Sequence, residues 1–589
     1  MSVDTSNLTT RFIRRLKPGR QTWWLLVAIV VGLLAAGGEI AFRQLVEALQ
    51  LGGFGVTDET FSHNWDEVPL WIKLCVPIAG GIVVGLLTRF VLPGQRPKAV
   101  ADVIEASALR DGHITVREML AGAAVNITAL GAGSSVGREG PIVHLGAALA
   151  SLVSRTLKMR PSGARLMLGC GVAAAVAAAF NAPLAGVFFA LEVVLGSYGL
   201  RSFAPVVVSS VTATMISRQV YGDRPAFLIA LKDWEIGLST LPSFAMLGLA
   251  AAALALAFMV LTFKSEDLMR RIPKLPRWTH PMGAGVLVAV TGIFLPQILG
   301  VGYEATDSAI AGDLTLSVLA TLLIGKLILS ALCLGSGFGA GFFSPTLFLG
   351  AMLGGVAGLL YALGLPEGLV ATPTAYVIAG MGAVAGAVMG APISTTLIIF
   401  EMTGDYDITI AVLLSTVIAT TVLDVTFGQH AFAWQLQRRG INLRGSRTRQ
   451  LLEHLTVADV MTAEAARLSA DAPIASLRVA LRDAPFGEVF IVDEDNALKG
   501  FVTIPDLTRE DELHDSLEED EDLTAAHFIG GHTQVLLITT SLDAAIELME
   551  TEGEAHLPVI SDGTTRKLVG VLHERDAMAA YHKALLDAR

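Results

Sequence analysis

The chain has 589 residues, more than one ordinary domain, and 53% of them are hydrophobic while only 16% are charged. With a mean hydropathy of +0.59, this composition is that of a polytopic α-helical membrane protein. The 3 cysteines all lie in apolar runs, which excludes a disulfide framework and the spacing of a zinc site.

Charge divides the chain into two parts. Residues 451–589 contain 28 acidic and 10 basic residues, whereas residues 1–450 contain 26 acidic and 32 basic ones. An acidic soluble tail therefore follows a mildly basic membrane part, and the need for solubility alone would explain the acidity of the tail.

Basic residues precede the first long apolar run and lie in the segment 1–21: Arg11, Arg14, Arg15, Lys17 and Arg20. By the positive-inside rule, this pattern predicts a cytoplasmic N-terminus. A cleavable signal peptide is not expected, because the apolar run is long and lacks a clear cleavage site. Further long apolar runs at 245–262 and 317–334 predict helices that cross the membrane.

The stretch GSSVGREGP at 133–141 puts two ionisable residues, Arg138 and Glu139, at membrane depth, where they are costly unless they face a cavity or a partner. Its glycines allow backbone N–H groups to point at a ligand, and Pro141 suits the first turn of a new helix. We predict a broken helix whose positive N-terminal end faces an anion. Glu139 would occupy the place of the anion when ionised and leave it when protonated. The alternative is a glycine-rich loop with a snorkelling charge pair.

An internal repeat divides the membrane part into two related halves. The run PIVHLGAAL at 141–149 matches PTLFLGAML at 345–353, and APLAGVFFALE at 182–192 matches APISTTLIIFE at 391–401. We therefore expect interrupted helices and a site at the interface of the halves. The second copy of the stretch, GSGFGAGFFSP at 335–345, lacks the acid, but its backbone could complete an anion cradle.

Beyond residue 440 the composition becomes soluble, and a second repeat begins. FIVD at 490–493 leads to GFVTIPD at 500–506, and LPVI at 557–560 leads to GVLHERD at 570–576. Each copy follows an amphipathic helical pattern, at 474–481 and 542–549. The acidic segment between the copies is expected to be a solvated or disordered loop.

Three motifs, GREGP at 137–141, FNAPLAG at 180–186 and GFFSP at 341–345, resemble signatures of the CLC family of chloride channels and transporters. The tail resembles a pair of cystathionine-β-synthase-type (CBS) domains. The resemblance implies an inverted repeat of broken membrane helices, cytosolic α/β CBS domains, and a homodimer in which each subunit has its own pore. The implied boundaries are a cytoplasmic N-terminal segment at 1–21, a CLC-type membrane domain at 22–440, a linker at 441–455, a first CBS domain at 456–510, an acidic linker at 511–523 and a second CBS domain at 524–589.

Residue by residue, the resemblance implies that Glu139 is the gating glutamate. It also implies that the backbone amides of Phe342 and Phe343 contact the central anion. Further anion contacts are expected from the signature around the gate: Gly137, Arg138 and Gly140.

Two positions depart from the family's pattern. Exchangers of the family carry an inner glutamate for proton transfer where this chain has Val193, which cannot relay a proton. The family's channels also lack this glutamate, although some exchangers do without it. The family's central tyrosine falls on Phe432, which has no hydroxyl to donate. Tyr406 is the other candidate for that position, but it follows Glu401 too closely.

A third departure is the family's first signature, a Gly-Ser-Gly-x-Pro run, which is missing. Aligning residues 101–106 on the pattern that follows this signature puts Lys98 at the anion-binding serine, and we favour this register over a shift onto 94–97. Lys98 could then bind the anion, pair with Glu139 or be neutral through desolvation. The alternative is an interfacial lysine that snorkels to the membrane surface.

In the tail, Thr503 and Asp506 resemble the ribose-contacting Thr/Ser-x-x-Asp motif of nucleotide-binding CBS domains. Asp576 ends the second copy, in which His573 replaces Ser or Thr. An adenine nucleotide is therefore the candidate ligand, and the alternative is a purely structural, dimer-forming pair. No cofactor is required elsewhere. No metal site is expected, because His144 beside Glu139 does not make one.

We predict a passive anion channel, gated by voltage or pH through Glu139, with chloride as the family's usual anion. The alternatives are a proton-coupled exchanger of chloride, bicarbonate or nitrate, and a CBS sensor whose membrane part only anchors or signals. An enzyme is not expected, because the sequence contains no HExxH, G-x-S-x-G or Walker loop. The expected location is the cell membrane, the inner one in a bacterium. The expected partners are lipid and a second copy of the chain, with no nucleic acid.

Overall fold

The structure is a computed structural model and describes residues 20–57, 64–92, 94, 96–223, 227, 234, 236–271, 276–366, 368–441, 455–484, 487–509, 523–529 and 534–587. The chain divides into two compact units, Met1–Ile441 and Asn442–Arg589. The expected N-terminal segment and both expected linkers lie outside the described residues, apart from their ends.

Helices build the first unit, and we number them in chain order. They are α1 Arg20–Phe54, α2 Leu70–Phe90, α3 Val100–Leu109, α4 Val116–Gly131, α5 Glu139–Thr156, α6 Pro161–Phe180, α7 Pro183–Phe189, α8 Leu200–Tyr221, α9 Leu241–Arg270, α10 His280–Phe294, α11 Tyr303–Ala311, α12 Leu316–Ser336, α13 Phe343–Gly364, α14 Pro373–Met389, α15 Pro392–Thr403, α16 Tyr406–Thr426 and α17 Ala431–Gln437. Short 3₁₀ turns lie at Trp65–Glu67, Arg277–Thr279 and Pro296–Ile298. In the part of the chain that is described, seven helical stretches are long and apolar enough to cross a membrane. The predicted polytopic α-helical class is confirmed.

The two halves of the repeat break their helices in the same way. Asn181 ends α6 in a left-handed conformation (φ 57°), and Gly390 ends α14 likewise (φ 67°). Two residues later, Pro183 and Pro392 begin α7 and α15, where a proline costs no intrahelical hydrogen bond. The Asn/Gly-Ala-Pro sequences are therefore the physical cause of the predicted interruptions.

The second unit contains two copies of a three-stranded sheet. The strands are β1 Arg467–Ser469, β2 Glu488–Val492 and β3 Leu498–Thr503, then β4 Leu536–Leu537, β5 His556–Ile560 and β6 Leu568–His573. In each copy the first strand pairs parallel with the second, and the third is antiparallel to the second. The helices are α18 Ile474–Asp483, α19 Leu542–Glu552 and α20 Glu574–Asp587, with 3₁₀ turns at Val457–Asp459, Ile504–Arg509 and Ala525–Phe528.

Apolar side chains hold this unit together. Leu477 of α18 packs with Val489 and Val502 of its own sheet, and an equivalent cluster forms in the second copy. A third cluster, which includes Phe490 and Ile560, joins the two copies. The amphipathic helices expected in both copies are confirmed.

Candidate functional site

A cavity of about 770 Å³ lies between the two halves of the repeat in the membrane unit. Glu139 and Gly140 line it from the start of α5, and Phe342 and Phe343 line it from the start of α13. Phe432 of α17 completes this part of the wall. The fold thus brings together residues from three distant parts of the chain.

The two signature stretches meet at the starts of α5 and α13. In both helices the third residue is a proline, Pro141 or Pro345, which fits the first turn because it lacks an N–H. The Gly137 amide donates to the Gly341 carbonyl at 2.9 Å. A Cβ added to Gly341 would lie only 2.0 Å from the carbonyl oxygen of Gly137. Glycine is therefore required at position 341. The positive ends of two helices come together here, which favours a negative charge.

The carboxylate of Glu139 occupies this meeting point and is only 2% exposed. The Tyr303 hydroxyl donates to its Oε1 at 2.8 Å, and the Ser344 hydroxyl donates to its Oε2. Both donors come from the second half of the repeat. The carboxylate therefore bridges the halves and fills a place that an anion could take.

Phenylalanine rings surround the neighbouring part of the cavity. Phe180 packs on Phe343 with 4.9 Å between ring centroids, and Phe342 meets Phe432 edge to face at 6.3 Å. Tyr406, the other candidate for the tyrosine position, is 72% exposed and is not part of the cavity wall. An anion beside Phe432 would have to be held by backbone N–H groups and ring edges, because this side chain offers no hydroxyl.

The structure does not place Lys98 on the cavity wall, where the sequence alignment put an anion-binding residue. Pro97 and Ala99 lie on the cavity wall, but Lys98 between them does not. Its ammonium is 3.2 Å from Asp102 and 3.8 Å from Glu118, and the residue is 4% exposed. The physical reason is the start of α3 two residues later, which places Asp102 one turn beyond Lys98. The lysine therefore pairs with two buried acids, Asp102 and Glu118.

Two other expected anion contacts also lie off the wall. The Gly137 amide is taken by the Gly341 carbonyl. The Arg138 guanidinium lies 4.9 Å from the centre of the Tyr303 ring, on the face of that ring. Neither Gly137 nor Arg138 lines the cavity, whereas Gly140 does. Arg138 thus acts on the residue that holds Glu139.

The position of the inner glutamate, Val193, lies in a π-helical segment, Ala190–Leu195, that continues α7. The glutamate beside it, Glu192, accepts hydrogen bonds from the amides of Ile393 at 3.1 Å and Ser394 at 2.8 Å. Neither Val193 nor Glu192 lines the cavity. This part of the chain supplies no acid to the site.

The matching glutamate of the second half makes the reciprocal contact. Glu401 accepts hydrogen bonds from the amides of Leu184 at 2.9 Å and Ala185 at 2.8 Å. Each glutamate of the repeat therefore caps the proline-initiated helix of the other half, where the first turn has unsatisfied N–H groups.

Arginines dominate the charged part of the cavity wall. Against the two glutamates Glu139 and Glu266, the described wall carries Arg89, Arg96, Arg270, Arg277, Arg438 and Arg439. Some of these guanidinium groups are paired, as Arg439 is with Asp102 and Glu105 at 3.4 and 3.2 Å. The excess of cations on the wall favours the entry of anions.

In the second unit, the candidate nucleotide motif forms a turn at the end of β3. The Asp506 carboxylate accepts hydrogen bonds from the Thr503 amide at 2.8 Å and the Thr503 hydroxyl at 2.7 Å. In the second copy, His573 is 4% exposed and packs edge-on against His556, and burial lowers the pKa of His573. Asp576 lies in the first turn of α20. The hydroxyl–carboxylate pair is therefore present in the first copy and replaced in the second.

Sequence reasoning missed Tyr303 and Ser344, the two side chains that hold Glu139. Ser344 stands inside the second signature, to which only backbone roles were assigned. Tyr303 follows the segment Gly-Val-Gly at 300–302 and begins α11, so its one sequence signal is a glycine pair before an aromatic residue. Within the described ranges, no group of three or more His, Cys, Asp or Glu residues could hold a metal ion.

Comparison with known proteins gives sequence matches over both units. The family described as voltage-gated chloride channel matches residues 80–424, and the CBS domain family matches 457–512 and 534–583. A ClcB-like protein of Ralstonia nicotianae is 32% identical over 421 residues, which is 70% of this chain and 96% of the relative. The voltage-gated ClC-type chloride channel ClcB of Escherichia coli is 30% identical over 409 residues, 68% of this chain and 95% of its own.

Solved structures share the fold. A slow cyanobacterial Cl⁻/H⁺ antiporter superimposes with a TM-score of 0.62 at 24% identity, over 71% of this chain and 97% of its own. A eukaryotic CLC transporter gives a TM-score of 0.62 at 18% identity, over 94% of this chain and 97% of its own. At these identities the likeness concerns the fold alone. Together with the sequence matches, it confirms the predicted CLC-type membrane domain with C-terminal CBS domains.

Proposed function

This chain belongs to the voltage-gated chloride channel (CLC) family, and we propose that it is a passive anion channel whose gate is Glu139. The observation that carries the proposal is the buried carboxylate held between two helix starts, at a position suited to an anion. Ionised Glu139 competes with a permeating anion, and protonation frees it to leave. The arginines of the cavity wall raise the local concentration of anions.

Passive conduction is supported by the absence of a proton relay at the inner position. Val193 cannot carry a proton, and the carboxylate of Glu192 is engaged by two backbone amides away from the cavity. The Ralstonia nicotianae and Escherichia coli relatives are also named for ClcB, and the Escherichia coli protein is named as a voltage-gated chloride channel.

Reconstituted membranes under opposed anion and proton gradients test the mode of transport. We expect the reversal potential to follow the anion gradient alone, and an anion gradient to drive no uphill proton movement. Glu139→Gln should leave flux that no longer depends on pH, because the variant cannot ionise. Steady proton pumping at a fixed stoichiometry, driven by the anion gradient, would contradict the channel mode.

A second candidate function is proton-coupled anion exchange. The observation in its favour is Glu266, whose carboxylate lies on the same cavity wall as Glu139 although it also pairs with Arg270 and Arg438. A water-filled cavity would then offer protons a route without an acid at position 193. If the gradients do show coupling, Glu266→Gln should abolish it while anion flux persists.

Chloride is the proposed physiological anion, with nitrate and bicarbonate as the alternatives. We propose that two copies of the chain assemble in the cell membrane, each with its own pore, because the cavity and its gate lie within one chain. The CBS unit is proposed to lie in the cytoplasm and to bind an adenine nucleotide at Thr503 and Asp506. A sensor with an inert membrane anchor would need neither the cavity nor the paired helix starts, and transport rather than catalysis accounts for both.

A further inference from the structure

Two hydroxyl donors of the membrane site lie at the proposed gate, whereas the tyrosine position is occupied by a phenylalanine. Phe432 offers no hydroxyl, and Lys98 lies off the cavity wall. In contrast, Glu139 receives one hydroxyl on each carboxylate oxygen, from Tyr303 and Ser344. Tyr303 is 9% exposed and Ser344 is 1% exposed, so water does not readily replace either donor.

Contacts other than the hydrogen bond to Glu139 fix the position of Tyr303. Gly302, which precedes α11, has a φ of 87°, a conformation that a side chain would disfavour. The ring of Tyr303 meets Phe227 edge-on at 4.7 Å and carries the Arg138 guanidinium on its face at 4.9 Å. Its position is therefore set by backbone and ring contacts that do not involve its hydroxyl.

A buried ammonium fixes the chain segment that leads to Tyr303. Lys326 of α12 is fully buried, and its Nζ donates to the carbonyls of Ile298, Gly300 and Val301 at 3.0, 2.8 and 3.3 Å. Three charge-assisted hydrogen bonds to carbonyl groups within residues 298–301 restrain this loop. The Tyr303 hydroxyl is thus presented to Glu139 by a preorganised segment.

We propose that Tyr303 is the latch of the gate: its hydroxyl, together with that of Ser344, holds ionised Glu139 closed and sets the pH at which the gate opens. The inference rests on the proposed gating role of Glu139. An ionised carboxylate only accepts hydrogen bonds, so each hydroxyl must turn its proton toward it and stabilises the closed, charged form. Removing a donor therefore makes the carboxylate of Glu139 easier to protonate.

Other charged groups face the gate and stay unchanged in this test. Arg138 lies beside Glu139 on the same stretch and over the Tyr303 ring. Lys326 of α12 donates to backbone carbonyls of the segment that precedes Tyr303. Glu39 of α1 is buried near Arg138. All of these groups are kept in Tyr303→Phe, which removes only the Tyr303 hydroxyl.

The test is anion flux from proteoliposomes as a function of pH for Tyr303→Phe. We expect the pH of half-maximal flux to rise by about one to two units, the effect of losing one hydrogen bond to a buried charge. Ser344→Ala should shift it in the same direction. The matched control is Tyr376→Phe, which removes a buried tyrosine hydroxyl that contacts Ser243 and the Ala371 amide away from the cavity. This control should keep the wild-type profile.

A second background separates the latch from a structural effect. In Glu139→Gln, adding Tyr303→Phe should leave the flux at each pH unchanged, because no ionised carboxylate remains to be held. A wild-type pH profile for Tyr303→Phe, or an equal shift in Tyr376→Phe, would overturn the latch and leave the gating role of Glu139 intact. Flux whose pH dependence survives Glu139→Gln would overturn the proposed function, and the latch with it.

Discussion

At the scale of single residues, neighbours in sequence have opposite environments. Lys98 is buried among acids, while Pro97 and Ala99 on either side line the cavity. The same holds at the proposed gate, where Glu139 lines the cavity and Arg138 packs on Tyr303. A residue's charge therefore does not tell which of two adjacent residues lines the cavity. Helix starts decide it, because they set the direction of each side chain.

The first prediction follows from the place of Lys98. Lys98→Met should lower the stability of the membrane unit and leave the permeability ratios of chloride, nitrate and bicarbonate unchanged. Leaving Asp102 and Glu118 short of a cation should cost about 3 kcal/mol, the low end for a broken buried pair, since Arg96 and Arg110 also contact these acids. Thermal unfolding in detergent and bi-ionic potentials measure the two effects.

Lys264→Met is the control for this variant, because Lys264 is an exposed lysine of α9. It should change neither quantity. If Lys98→Met changes the permeability ratios but not the stability, Lys98 contacts the permeating anion and the prediction is wrong.

At the scale of elements, short helices begin at proline and are capped by the opposite half of the repeat. Glu192 caps α15 and Glu401 caps α7, and each carboxylate accepts hydrogen bonds from two backbone amides of the first turn. The equal spacing of proline and glutamate in both halves, visible in sequence, thus has a structural cause. Four otherwise unsatisfied N–H groups at membrane depth are paired by two carboxylates.

Substituting Glu401→Gln should destabilise the membrane unit by about 1–3 kcal/mol, because the neutral amide accepts at one oxygen only and loses the charge that favours a helix start. Glu192→Gln should have a similar effect, since its contacts are equivalent. Both are measured as a lower unfolding temperature in detergent. Glu67→Gln, at an exposed acid of a 3₁₀ turn, supplies the comparison. If the Glu401 and Glu192 variants unfold no earlier than this one, the caps contribute nothing.

At the scale of the whole molecule, a membrane unit with an excess of basic residues is joined to an acidic soluble unit that repeats a small sheet. The two CBS copies share their strand order, yet the nucleotide motif is complete in the first copy only. Thr503 and Asp506 face one another at 2.7 Å, whereas His573 in the second copy is buried against His556. One nucleotide for each chain is therefore the expectation.

Calorimetry on the purified full chain tests this expectation. Adenine nucleotide should bind at one site for each chain, and Asp506→Ala should abolish binding if its carboxylate accepts from the ribose hydroxyls, as proposed. Asp576→Ala, at the matching position of the second copy, should retain it. If the unmutated chain binds no adenine nucleotide, the CBS pair is structural.

The sequence by itself determined the class of the protein, its family, the internal repeat, the two soluble copies and the gate candidate Glu139, because apolar run lengths, proline positions and short motifs are local properties. It also located Phe342, Phe343 and Phe432, which do lie on the cavity wall. Only the tertiary structure decided that Lys98, Gly137 and Arg138 lie off that wall and that Tyr303 and Ser344 hold Glu139. These contacts join residues 164 and 205 positions apart. Their formation depends on how two half-repeats pack against each other, which no local pattern records.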